Sequence, residues 1–339
     1  MITKMLTTSE VDLAYAADLI KRGEVVGIPT ETVYGLAASA FDETAVAKIF
    51  KAKGRPSDNP LIVHISDFGM IHDIAAEIPP LAKELADRFW PGPLTMIMPK
   101  SERIPAITSG GLDTVGIRFP SHPAARRLIE LCGVPLAAPS ANLSGSPSPT
   151  TAARVYDDMN GRIPAIIDGG DCIVGVESTV ISFESDAVRI LRPGGITREM
   201  LEKVVPNIII DRGVLAELSP DTVAPSPGMK YKHYAPKADV RIIKGDIDEY
   251  TEYVRKTAND GDFCLLFDPS EAVDDIPYVC CGVTSEDQAR GLFECLRRLD
   301  ELGAKTVYAR CPNISGVGLA VYNRILRAAG FCVIDLEKK

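Results

Sequence analysis

Apolar positions along this chain recur with two different periods. In "SEVDLAYAADLIKRGE" (residues 9–24) they fall at Val11, Leu13, Ala16, Ala17, Leu19 and Ile20, the stripe of an amphipathic helix, with Ser9 placed to cap its start and Gly23 to stop it. Short apolar runs come next, "VVGIP", "LIVHI", "LTMIM", "VGIRF", "VPLAAP", "AIIDGG", "STVISF" and "VRILRP", whose lengths and flanking Gly and Pro favour strands. Helical patterns such as "DETAVAKIFKAKG" and "SHPAARRLIELCG" lie between them. In "STVISFESDAVRILRP" one strand succeeds another with no helix between, which points to an α/β fold on a mixed sheet.

The pattern breaks at residues 211–238. "SPDTVAPSPGMKYKHYAPKAD" is rich in Pro, Ser and Lys and poor in aliphatics, so it reads as a linker, yet Tyr231, His233 and Tyr234 exceed what a passive spacer needs. Strand and helix patterns resume over residues 239–339, from "VRIIKG" to "CVIDL", as a smaller α/β domain. The expected division is therefore 1–210, a linker at 211–238, and 239–339. "SGVGLAVYNRILRAAG" in the last part reads as a helix start packed on a strand, with a glycine-bound nucleotide as the alternative.

Composition narrows the function. The 339 residues carry a net charge of −9, which argues against a broad basic surface gripping nucleic acid through phosphates alone. Eight cysteines form no C-x-x-C pair, and with four histidines no zinc spacing appears, so no metal site is expected. The N-terminus has no apolar leader and no run approaches the ~18 apolar residues of a membrane span, so the expectation is a reduced, cytoplasmic, soluble protein.

Against that acidic background, "KAKGRPSDNPLIVHI" (51–65) stands out. Lys51 sits where a helix C-terminus favours a cation in any case, but Arg55 lies beyond Gly54 in a proline-stiffened loop with Ser57 and Asn59. A guanidinium fork beside the Lys53 ammonium suits a polyphosphate, although a solvated helix end explains the charges equally well on spacing alone. A second stretch, "LAAPSANLSGSPSPTTAARV" (136–155), runs from a strand into a loop of small hydroxylated residues and then a helix capped by Thr150 or Thr151. Such a loop can cradle phosphates, although it is neither a Walker loop nor G-x-G-x-x-G. Arg118, directly after apolar "VGI", must find an anion or reach water. His64 within "LIVHIS" is by itself an ordinary core histidine, and neither Ser140 nor Ser178 sits in a nucleophile elbow.

Taken in order, "GIPTETVYGLA", "KAKGRPSDNPLIVHI", "WPGPLTMIM", "VGIRFPSHP", "PLAAPSANLSG", "VESTVI" and "LRPGG" closely resemble the YrdC-like domain of threonylcarbamoyl-AMP synthases. The "SPGMKYKHYAPKA" linker and the α/β domain after it resemble that family's two-domain form. The resemblance implies a twisted mixed-sheet domain with a deep concave site, then a Rossmann-like domain. It implies condensation of L-threonine, bicarbonate and ATP, with Mg2+ accompanying ATP, to L-threonylcarbamoyl-AMP and pyrophosphate. The product serves a partner machinery that modifies tRNA, and a direct tRNA contact is left open. The residues implied for ATP are Lys53, Arg55, Asn59, Thr114, Ser140, Asn142, Ser148, Arg192, Ser226 and Tyr234, with Lys53 and Arg55 bearing the catalytic charge. Those implied for threonine are Thr32, His64, Arg118, Ala138 and Ser178. The rival reading is a double-stranded-RNA-binding module; the full set of small-molecule residues and the acidic charge favour the enzyme.

Overall fold

The computed structural model describes residues 2–217 and 234–337. Among these, the first part carries strands β1 (Lys4–Leu6), β2 (Val26–Ile28), β3 (Gly35–Ser39), β4 (Ile62–His64), β5 (Leu94–Pro99), β6 (Thr114–Arg118), β7 (Leu136–Ala137), β8 (Ala165–Ile167), β9 (Thr179–Phe183), β10 (Val188–Arg192) and β11 (Ile208–Ile210). They join in one sheet, ordered β1-β8-β2-β3-β7-β4-β6-β5-β9-β10-β11. The sheet is mixed: β4 and β6 are parallel, as are β5 and β9, whereas β9 and β10 form the antiparallel pair expected from consecutive strands. The second part adds β12 (Asp239–Lys244), β13 (Phe263–Leu266), β14 (Tyr278–Cys280), β15 (Thr306–Arg310) and β16 (Val333–Asp335), an all-parallel sheet ordered β14-β13-β15-β12-β16.

Helix boundaries obey local chemistry. Ser9 accepts from the Asp12 amide at the start of the helix Glu10–Lys21, and Thr151, not Thr150, caps Ala152–Met159 through the Arg154 amide. Asp42 opens the helix Glu43–Lys53, which ends on Gly54 at φ 64°, a left-handed cap that glycine adopts without a Cβ penalty. "GLAVYNRILRAAG" forms the helix Gly318–Ala328, so its glycine marks a helix start, as the preferred reading expected.

The two parts share buried surface. Val33 and Val176 of the first part pack into the core of the second, beside Phe293 and Leu292. Fully burying such a side chain is worth about 1.5–3 kcal/mol. Gly175, at φ 81°, meets the helix Ser285–Glu301 so closely that a Cβ there would lie 2.3 Å from Arg290 Cα. Only glycine fits this crossing. Polar links flank it: Arg297 Nη2 bonds Asp158 Oδ2 at 2.7 Å, and Arg154 pairs with Glu294 and Glu301. The segment 175–178 is thereby held between the large sheet and the second domain.

Candidate active site

Sheet register builds one end of the site. His64 on β4 is the register partner of Arg118 on β6, Arg118 of Thr95 on β5, Thr95 of Val180 on β9, and Val180 of Arg192 on β10. One rung of the sheet thus carries His64, Arg118, Thr95 and Arg192. Thr95 Oγ1 lies 2.8 Å from Ser178 Oγ, and Arg192 donates from Nη2 to the same hydroxyl and from Nε to the Ser178 carbonyl. Burial holds the Arg192 pKa below its ordinary value. His64 is buried, and desolvation, aided by the Arg118 charge, pushes its pKa down to about 3, so the ring is neutral at physiological pH.

Arg118 finds its anion in Glu31, whose Oε1 lies 2.7 Å from Arg118 Nη2 with both side chains at most 5% exposed. The pair is close but poorly aligned. Arg118 Nε and Nη2 and both Glu31 carboxylate oxygens lack a well-oriented hydrogen bond among the described residues. Buried groups left in that condition cost about 1–3 kcal/mol each, more when charged, and a ligand carboxylate would relieve the guanidinium side. Thr32 and Thr30, also buried, share a hydroxyl contact of 2.9 Å beside them.

The other end is built by the helix Glu43–Lys53 and the loop after β7. Lys53 Nζ donates to the Ser140 and Asn142 carbonyls, so two of its three N–H donors hold the loop. Desolvation first, and the Arg55 charge second, lower its pKa well below the usual value. Arg55 Nη2 reaches the Asn59 and Pro60 carbonyls at 3.4 and 3.3 Å. Ser140 Oγ donates to Asn142 Oδ1, and Asn142 Nδ2 donates to the Leu143 and Ser146 carbonyls, which fold the loop on itself. Lys51 and Ser57 are exposed, so the basic run splits into a solvated Lys51 and a cavity-facing Lys53 and Arg55.

Both ends line one cavity that encloses about 740 Å³, its solvent-open part included, within the range of small-molecule sites. Lys53, Arg55, Ser140, Asn142, Arg192 and Tyr234 of the expected nucleotide residues line it, as do Thr32, His64, Arg118, Ala138 and Ser178 of the expected threonine residues. Three others stand back from it. Asn59 is buried, and its carbonyl receives Arg55. Thr114 begins β6, about 13 Å from Arg118 at ~3.3 Å per residue. Ser148 is fully buried, and its hydroxyl donates to Glu177 Oε1 at 2.5 Å. Ser226 lies outside the described residues. Tyr234 sits at φ 63°, a left-handed conformation costing a bulky residue about 1–3 kcal/mol, and packs on Phe293 of the second domain with ring centroids 5.2 Å apart.

Sequence reasoning did not single out Glu31, Thr95, Glu177 or Arg324. Glu31 and Glu177 lie inside quoted motifs, "GIPTETVYGLA" and "VESTVI", but an acid beside an expected polyphosphate gave no reason to select it. Glu177 lines the cavity with both oxygens engaged, by Ser148 and by Arg324. Among the described residues no cluster of three His, Cys, Asp or Glu side chains could hold a metal ion, and no helix is long and apolar enough to cross a membrane.

A mixed-sheet domain with a cavity cationic at one end and lined by a buried arginine at the other, docked on a parallel α/β domain, defines a two-domain enzyme with a small-molecule site. Residues 18–194 match the family described as "Telomere recombination", and residues 196–330 match "Threonylcarbamoyl-AMP synthase, C-terminal domain". A threonylcarbamoyl-AMP synthase of Pyrococcus abyssi is 47% identical over 96% of both chains, and that of Bacillus subtilis 46% identical over 98% of this chain and 97% of its own. A crystal structure of P. abyssi Sua5 complexed with L-threonine superposes with a TM-score of 0.93 at 46% identity, covering 98% of this chain and 99% of that one. A Vibrio vulnificus threonylcarbamoyl-AMP synthase, 36% identical, covers 47% of this chain but 86% of itself. The chain belongs to the threonylcarbamoyl-AMP synthase family, in its two-domain form, and is an enzyme of the nucleotidyltransferase class.

Proposed function

We propose that the enzyme condenses L-threonine, bicarbonate or CO2, and MgATP to L-threonylcarbamoyl-AMP, releasing pyrophosphate, as the first step of threonylcarbamoyladenosine formation in tRNA. The observation that carries this reading is the pairing of two unlike ends in one cavity: Arg118 with unmet donors, and Lys53 with Arg55 against a hydroxylated loop.

Arg118 takes the threonine carboxylate, its fork matching two oxygens. Thr32, Ser178 and neutral His64 line that end and suit the substrate's hydroxyl and amine. The free amine attacks CO2 to give a carbamate and a proton. A carbamate oxygen then attacks the α-phosphorus, and pyrophosphate leaves with the P–O electron pair. Lys53 and Arg55 face the charge that builds on the phosphates, and Ser140, Asn142, Arg192 and Tyr234 border the nucleotide, with Asn59, Thr114, Ser148 and Ser226 in support. Magnesium enters on the phosphates as part of the substrate; the engaged oxygens of Glu177 offer it no protein cage. Both carbamate and mixed anhydride hydrolyse in water, so the reaction needs water kept from the site. The linker expected to supply that cover falls mostly on residues outside those described.

The cytoplasm, where ATP and tRNA meet and the eight free cysteines stay reduced, is the proposed compartment. The product passes to a tRNA-modifying machinery. The test is pyrophosphate release from ATP with threonine and bicarbonate present together or singly. Release that requires both supports the reading; no release from folded protein under any combination overturns it.

A further inference from the structure

One buried side chain of the second domain is bonded to an acid that lines the cavity. Arg324, on the helix Gly318–Ala328, is fully buried and donates from Nε to Glu177 Oε2 at 2.7 Å. Its Nη1 is held by Asn323 Oδ1 at 2.8 Å, and Asn323 Nδ2 in turn donates to the Val214 carbonyl. The guanidinium also lies 5.6 Å from the Tyr234 ring. Glu177 lines the cavity, and its other oxygen receives the Ser148 hydroxyl.

A carboxylate in a cavity read as binding polyphosphate is repulsive unless it is neutralised and fixed. The Arg324 and Arg192 charges, with the Ser148 bond, outweigh desolvation and keep the Glu177 pKa below the usual carboxylate value. Its backbone is clamped as well: a Cβ on Gly194 would lie 2.5 Å from the Glu177 carbonyl oxygen. At the threonine end the side-chain partners come from the first domain, and the second domain touches only backbone, through the Arg324 Nη2 bond to the Glu177 carbonyl and the packing of Gly175. Ser178 Oγ is held by Thr95 and Arg192, and Arg118 by Glu31, all from the first domain.

We infer that Arg324 is a positioning residue for the nucleotide end of the site, acting through Glu177 and Ser148, so that the second domain sets ATP affinity without touching threonine. This inference rests on the proposed function of the cavity. The V. vulnificus enzyme covers only 47% of this chain while using 86% of itself, so the dependence is inferred for family members that carry the second domain.

The test is calorimetry of ATP and of threonine, each alone, on the full chain with Arg324→Met, Arg324→Lys, Ser148→Ala and the double variant Arg324→Met/Ser148→Ala. Arg324→Met should raise the ATP dissociation constant roughly tenfold or more, the loss expected for a hydrogen bond to a charged group, with the threonine constant within about threefold. Arg324→Lys, which keeps a cation against Glu177, should fold and recover part of that loss. The double variant should bind ATP little worse than either single one, because both changes act on the same link. Unchanged ATP affinity in folded Arg324→Met or Arg324→Lys, equal losses for both ligands, or additive losses in the double variant would overturn the inference alone. Failure of the wild-type chain to bind ATP would instead overturn the functional reading, and the inference with it.

Discussion

Glu31 Oε1 lies 2.7 Å from Arg118 Nη2, and neither side chain reaches solvent. This ion pair balances the Arg118 charge inside the protein. Removing one member of a buried pair costs about 3–5 kcal/mol, because the other charge is left uncompensated. Arg118→Ala should therefore lower the denaturation midpoint sharply and abolish threonine binding. Glu31→Gln with Arg118→Met should recover most of the stability and none of the binding. Urea unfolding and threonine calorimetry on the same preparations check both.

His64 offers a pH test. Its folded pKa of about 3 lies below the ordinary value near 6.5, so below pH ~6.5 the unfolded chain takes up a proton that the native state refuses. Stability from this residue is intact above pH ~6.5 and is lost as pH falls toward 3. His64→Gln should flatten that acid limb by up to about 1.4 kcal/mol per pH unit, seen in unfolding free energies across the window. Threonine affinity should show no inflection assignable to His64 near pH 6.5.

Lys53 and Arg55 should separate by variant. Arg55→Ala removes a cavity-facing guanidinium and leaves the loop bonds of Lys53 intact, so ATP binding should weaken by about 1.5–3 kcal/mol with little change in stability. Lys53→Met also strands the Ser140 and Asn142 carbonyls, so it should lose ATP affinity and melt earlier. Calorimetry beside thermal unfolding distinguishes them; equal stabilities would contradict the anchoring role.

Most of the sheet was legible because its strands are apolar runs bounded by Gly and Pro. Four strands were not. β1, β11 and β14 are short edge strands, and β3, "GLAAS", has no β-branched or aromatic residue and packs closely between β2 and β7. The site's outline was legible by resemblance, and eleven of its fifteen named residues line the cavity. Its acids were not, since a single carboxylate in a motif does not reveal its partner. Arg324 was hidden differently. Asn323, Arg324 and Arg327 are polar residues of a helix whose sequence names no partner for them, yet all three are buried where the domains meet. A polar stripe faces water in most helices, and nothing in spacing distinguishes a docked one.

The contacts between domains should differ in weight. Arg154, 20% exposed, pairs with half-exposed Glu294 and Glu301, so Arg154→Ala should cost no more than about 1 kcal/mol. Arg297 and Asp158 are each 11% exposed, and Arg297 also bonds the Pro147 carbonyl, so Arg297→Ala should cost clearly more. Unfolding of the two variants in low and high salt checks this, with salt sensitivity expected mainly from the Arg154 cluster.

The chemistry itself is tested most directly by the mass of the AMP adduct formed from ATP, threonine and 13C-bicarbonate. An adduct carrying one labelled carbon between threonine and AMP is the expected result. An unlabelled threonyl-AMP, or AMP with no adduct at any time, would contradict carbamate adenylation in this cavity.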